Sequence, residues 1–255
     1  MTVIRTEQMK LFEQAALRQF EEEMMIHSKS FSARLCEVIG DEQLRVALRS
    51  AMTKADGYGF TNRGPLRLYI EMMFLCGSAF DTDPQYPALG QVLRASGDQM
   101  QRAEQIHQGF LDYLEKVSGP GAANVRKALS DLLEFVRMPV AYSNDFETSM
   151  LHEMNRIFPL KAAYVGETAL KGLIEEGIAE ARQYQFDTER QAALLVVLKF
   201  SFGHGCTDDP LYPWISRTLR DERTINPAGR AERLENKAIT WLEHVVARNE
   251  QGSQT

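Results

Sequence analysis

The sequence predicts an all-α protein made of two tandem, divergent copies of one multi-helix unit, pseudo-two-fold related, with little or no β structure. Three observations predict it. Apolar residues recur at helical spacing along most of the chain, alternating strand patterns are scarce, and a shift of 126 residues lays one half over the other. With 255 residues, 44% of them hydrophobic and 25% charged, the chain can bury a sizeable core as one large domain or two smaller units.

The elements follow in order. Phe12, Ala16, Phe20 and Met24 recur every four residues and place one apolar stripe on a helix of about residues 7–35. A break at Gly40-Asp41 precedes a second helix carrying Leu44, Ala47, Ala51 and Ala55, which ends near Gly57 and Gly59. The third helix runs from about Pro65 to Cys76, and Gly77 ends it. Asp83 then reads as an N-cap with Pro84 at the first helical position of a short helix. A long amphipathic helix carrying Ile106, Phe110, Tyr113, Leu114 and Val117 closes the unit. Ser118-Gly119-Pro120-Gly121 is the clearest break, followed by a connecting helix from Val125 to Val136 that Pro139 interrupts. The second copy repeats the order: Met150 to Phe158, Leu170 to Tyr184, Glu189 to Phe202, Pro210 to Leu219, and a last helix bearing Leu234, Ala238, Trp241, Leu242 and Val245.

The duplication rests on identities kept in register. From Phe74 to Arg94, 8 of 21 positions match those 126 residues later, including Gly77/Gly203, Asp83-Pro84/Asp209-Pro210 and Tyr86-Pro87/Tyr212-Pro213. Upstream, Gly40, Leu44, Tyr58 and Phe60 match Gly166, Leu170, Tyr184 and Phe186. Beyond Arg220 the shift becomes 128, so that Arg102-Ala103-Glu104 faces Arg230-Ala231-Glu232. The chain therefore divides into a first repeat at 1–117, a linker and connecting helix at 118–142, a second repeat at 143–247 and a frayed tail at 248–255.

Composition narrows the function. The net charge of −6 argues against a broad nucleic-acid surface. No stretch is apolar enough for a membrane span, and MTVIRTEQMKLFEQ lacks the core of a secretory signal. Three cysteines without CxxC spacing read as reduced thiols in a cytoplasmic protein. Phosphate loops, dinucleotide fingerprints, nucleophile elbows and zinc-finger spacings are missing, and no cofactor or metal is expected.

The repeated Gly-x-x-x-x-x-Asp-Pro-x-Tyr-Pro turn is the most distinctive local feature. It reads first as a capped joint between helices, with Asp83, Tyr86, Arg94, Asp209, Tyr212 and Trp214 as candidate binding residues around a groove between the copies. Asp81 with Asp83, and His204 with Cys206, Asp208 and Asp209, carry oxygen, nitrogen and sulfur donors. They lack the additional ligands that a calcium loop or zinc site requires. HEMNR at 152–156 lacks the second histidine of a zinc-protease helix. Cys36 and Cys76 read as core thiols, and Glu21–Glu23 and Glu175–Glu176 as solvated acidic faces.

The segment MFLCGSAFDTDPQYPALGQVL, echoed at 186–220, resembles a motif of helical bacterial accessory proteins encoded near secreted-toxin systems. The resemblance implies a toxin-associated accessory role and brings no site residue with it. Together these readings point to a cytoplasmic adaptor, chaperone or toxin-neutralising protein that binds another protein through its two helical repeats. An enzyme centred on the two turns, and a structural or self-associating subunit, are the alternatives.

Overall fold

The computed structural model describes residues 6–138, 145–221, 223 and 226–251. Among these residues there are twelve α-helices and no strand. The first six are α1 (Thr6–Phe31), α2 (Ala33–Gly57), α3 (Arg63–Cys76), α4 (Pro87–Arg94), α5 (Gln99–Tyr113) and α6 (Ala123–Arg137). A π-helical turn (Leu114–Ser118) and a 3-10 turn (Pro120–Ala122) join α5 to α6. The others are α7 (Phe146–Ile157), α8 (Pro159–Val165), α9 (Glu167–Gln183), α10 (Glu189–Phe202), α11 (Pro213–Leu219) and α12 (Pro227–Gln251). No helix among the described residues is long and apolar enough to cross a membrane.

Two helices form the centre. In α10 every residue from Ala192 to Phe200 is buried, so it is enclosed on all sides rather than amphipathic. A capping box starts it: Thr188 accepts from the Gln191 amide while the Gln191 side chain accepts from the Thr188 amide. The first half's central helix, α3, buries Tyr69, Ile70, Met72, Met73 and Phe74. α1 and α2 pack on one another and on α3; α9 packs along α10; α6 bridges to α12 and α7. The buried apolar residues form one continuous cluster from Phe20 to Leu242.

Some local contacts take the same form at positions 126 or 128 residues apart. Arg102 Nη2 donates to Tyr58 O at 2.9 Å, and Arg230 Nη2 donates to Tyr184 O at 3.1 Å. The Phe60 amide donates to Ala55 O and the Phe186 amide to Ala181 O, both at 2.9 Å. Gly40 and Gly166 hold φ of +77° and +82°.

Several expectations need correcting. The short helices start at the second proline, Pro87 and Pro213, not at Asp83-Pro84 and Asp209-Pro210. The aspartates instead serve the turn that precedes each helix. The α1 stripe outruns the core: Phe20 and Met24 are buried, whereas Phe12 is 67% exposed and Ala16 is exposed. That helix also ends at Phe31 and restarts at Ala33. Glu21 is not on a solvated face. It is buried, and hydrogen bonds from Arg49 and Arg45 hold its carboxylate below the usual range against the cost of burial. Helix α8 carried no separate signal in the sequence. Pro139 lies outside the described residues, and α6 ends at Arg137 before reaching it.

Candidate functional site

The two repeated turns meet. Each central helix ends on a glycine with positive φ, +91° at Gly77 and +99° at Gly203. A Cβ on Gly77 would sit 2.5 Å from Phe202 O, and one on Gly203 would sit 2.8 Å from Cys76 O. Only glycine permits both the backbone conformation and this approach. After each glycine the chain folds through the same hydrogen-bonded turns, ending with Tyr86 N donating to Asp83 O and Tyr212 N to Asp209 O, both at 3.0 Å.

The aspartates cross between the turns. Asp83 Oδ2 accepts from the His204 amide at 2.8 Å, and Asp209 Oδ2 accepts from the Ser78 amide at 2.7 Å. Their Oδ1 atoms accept from the amides two residues ahead, Gln85 and Leu211, each at 2.8 Å. Ser78 Oγ adds a bond of 2.5 Å to Asp209 Oδ1. Asp83 is 2% exposed and Asp209 4%. Burial pushes the Asp209 carboxyl above its ordinary range, and the Ser78 and Leu211 hydrogen bonds oppose that rise. These carboxylates tie the halves together and have no free face for a ligand.

Charges around the junction are unequal. On one side Lys54 Nζ donates to Ser78 O at 2.8 Å and lies 3.7 Å from Asp81, which also accepts from Tyr58 Oη at 2.8 Å. On the other, buried Lys199 donates to His204 O at 2.6 Å and pairs with Glu180 at 2.6 Å and Glu176 at 3.2 Å. Burial opposes the charge on Lys199, but the Glu180 hydrogen bond and both carboxylates raise its pKa above the ordinary value. The same balance acts on His204. Burial disfavours its cation, while the bond to Glu176 and the charge of Asp83 raise its pKa. Its Nε2 reaches Thr82 Oγ1 at 3.0 Å. Glu176 is therefore a member of this network, with its side chain still partly exposed.

The candidate binding residues divide into three kinds. Asp83 and Asp209 are spent within the junction. Tyr86 and Tyr212 are buried on its flanks, Tyr86 edge-to-face with Tyr113 at 5.7 Å and Tyr212 stacked on Phe202 at 4.6 Å. Arg94 and Trp214 lie farther out. Arg94 is exposed and donates to Asp81 O at 3.0 Å, and half-buried Trp214 stacks on Trp241 at 6.3 Å. Cys206 is fully buried with its thiol pushed up by desolvation, away from the reactive range.

A groove of about 550 Å³ opens beside the junction. Phe74 and Leu75 of α3, Tyr113 of α5, Phe202 of α10, and Tyr212 and Trp241 of the second half supply much of its wall. Lys161, 3% exposed, also lines it; its Nζ donates to Phe200 O at 2.5 Å and lies over the Tyr86 and Phe200 rings. Burial pushes this lysine down to about 8, with Asp83 and Cys76 opposing the shift. Lys199 was legible as the one cation in an apolar run, AALLVVLKF, whereas nothing in PLKAAYV marked Lys161 as buried. No family model, curated protein or solved structure matches this chain.

Proposed function

We propose that the chain is a cytoplasmic, toxin-associated accessory factor built from two divergent copies of one helical unit, and that it binds another protein through the groove between them. The observation that carries this reading is the groove itself, about 550 Å³ with aromatic walls drawn from both halves. An amphipathic helix or apolar segment of a partner suits such a surface. The duplication is supported by the reciprocal aspartate-to-amide bonds and by the paired Arg102–Tyr58 and Arg230–Tyr184 contacts. An enzyme at the turns finds less support, because Asp83, Asp209 and Cys206 are enclosed and already engaged or protonated.

Leu75 provides the test. It lines the groove and is 37% exposed, so Leu75→Glu places a charge in the groove without burying it in the core. Affinity capture from the native cell is expected to return a stoichiometric protein with the wild-type chain and to lose it with Leu75→Glu. Recovery of the same protein by both chains would exclude the groove as its binding surface.

A further inference from the structure

The turn that follows α10 carries His204 at the seam between the two repeated turns. Its side chain is 17% exposed, and both ring nitrogens are engaged. Nδ1 lies 3.2 Å from Glu176 Oε1 on α9, and Nε2 lies 3.0 Å from Thr82 Oγ1 on the first turn. We propose that His204 is a pH-sensitive clasp across the junction: as an imidazolium it ties α9 to the first turn, and when it loses its proton it gives up one hydrogen bond of that tie. The clasp rests on the geometry of the junction and does not depend on the protein-binding role of the groove. The position 126 residues earlier holds Ser78, so the device is one-sided.

The placement of hydrogens identifies the charged form. An ionised carboxylate has no hydrogen to give, so Nδ1 donates to Glu176. The Thr82 hydroxyl has a single hydrogen, which Oγ1 gives to Ala79 O at 3.2 Å. Oγ1 is then left as an acceptor, and Nε2 donates to it. An imidazole that donates through both nitrogens carries a positive charge. In the neutral ring Nε2 becomes an acceptor and competes with Ala79 O for the one Thr82 hydrogen, so one bond is lost. The surrounding charges favour the cation. On α9 stand Glu176 and, beyond Lys199, Glu180; on α10 stands Lys199; on the first turn stands Asp83, whose Oδ2 accepts from the His204 amide. On the second turn Cys206 is neutral and Asp209 is directed at Ser78. Burial works against the His204 cation, but the Glu176 hydrogen bond and the charges of Asp83 and Glu176 carry its pKa above the ordinary value.

With the folded pKa above the unfolded value of about 6.5, the stability contributed by the clasp is complete below 6.5 and is lost as pH rises through the folded pKa. Two measurements on the full chain test this. Proton–carbon NMR of the five histidine side chains from pH 5 to pH 9, assigned through the backbone, reads the His204 midpoint directly. That midpoint is expected above 6.5 in the wild type and lower in Thr82→Val, which keeps the side-chain shape and removes the acceptor. Urea unfolding of wild type and His204→Gln over the same range reads the stability. The ratio of their folding constants is expected to fall as pH rises, tenfold for each pH unit by which the measured midpoint exceeds 6.5. Should His204→Gln fail to fold, the midpoints of wild type and Thr82→Val decide alone. A wild-type midpoint at or below 6.5, a midpoint unmoved in Thr82→Val, or a ratio that stays constant with pH would overturn the proposal.

Discussion

At the scale of single residues, Lys161 has the most direct measurable consequence. Burial lowers its pKa from about 10.5 to about 8, so the folded protein disfavours its charged form. The stability linked to this lysine is present above the unfolded pKa and is lost as pH falls through 8. A separation of that size corresponds to about 3 kcal/mol. Lys161→Met removes the titrating group, so its stability relative to wild type should rise by about this amount between pH 11 and pH 7. Urea unfolding of both chains across that range measures the difference, and subtracting wild type removes the common tyrosine and cysteine titrations. A difference that does not change with pH would mean that Lys161 is solvated in the folded protein. Asp83 and Asp209 teach a different lesson at this scale. Sequence spacing identified them as helix caps, and they do satisfy backbone amides. Two of those amides, however, belong to the opposite turn. Local sequence cannot show a bond that spans more than 120 residues.

At the scale of elements, the ends of α3 and α10 decide the geometry. Their terminal glycines touch the opposite helix end, so the two positions should tolerate substitution far less than an open positive-φ site. Gly77→Ala would combine left-handed strain with a 2.5 Å contact to Phe202 O, and a loss of about 3 kcal/mol or more is expected. Gly40→Ala also has positive φ but meets nothing within 4 Å, and should cost only about 1–2 kcal/mol. Chemical denaturation of the two variants checks the contrast; equal losses would remove the special role of the junction. The helices themselves were largely legible. Apolar periodicity located the buried part of α1, and the proline start of α3 and the glycine that follows it marked that helix. Periodicity failed at the start of α1, where Phe12 continues the stripe beyond anything that could cover it. It also failed to separate α8 from α7, because a seven-residue helix carries too few turns to show a period.

For the whole molecule, the single apolar cluster and the crossed aspartates predict one cooperative unit. The two tryptophans, Trp214 and Trp241, both lie in the second half, so fluorescence reports on that half while far-UV circular dichroism reports on all helices. Urea transitions followed by the two signals should coincide. Separate transitions would show that the halves fold independently, as a division at residue 117 into autonomous repeats would require. The junction also explains why the proposed partner groove has walls from both halves. Holding α3 end-to-end with α10 brings Phe74 and Leu75 to the same opening as Phe202, Tyr212 and Trp241.

Returning to the sequence, its own determinations were the helical class and the order and approximate limits of most elements. Helical periodicity, glycine stops and proline starts are short-range signals, and they survive in a single chain read alone. Tertiary structure decided what the Asp-Pro-x-Tyr-Pro turns do. It turned the aspartates inward to bond across the junction and placed Tyr86 and Tyr212 on its two flanks. It also buried Lys161 and Lys199. Each of these outcomes depends on desolvation and on partners far away in sequence, and neither quantity is contained in local spacing.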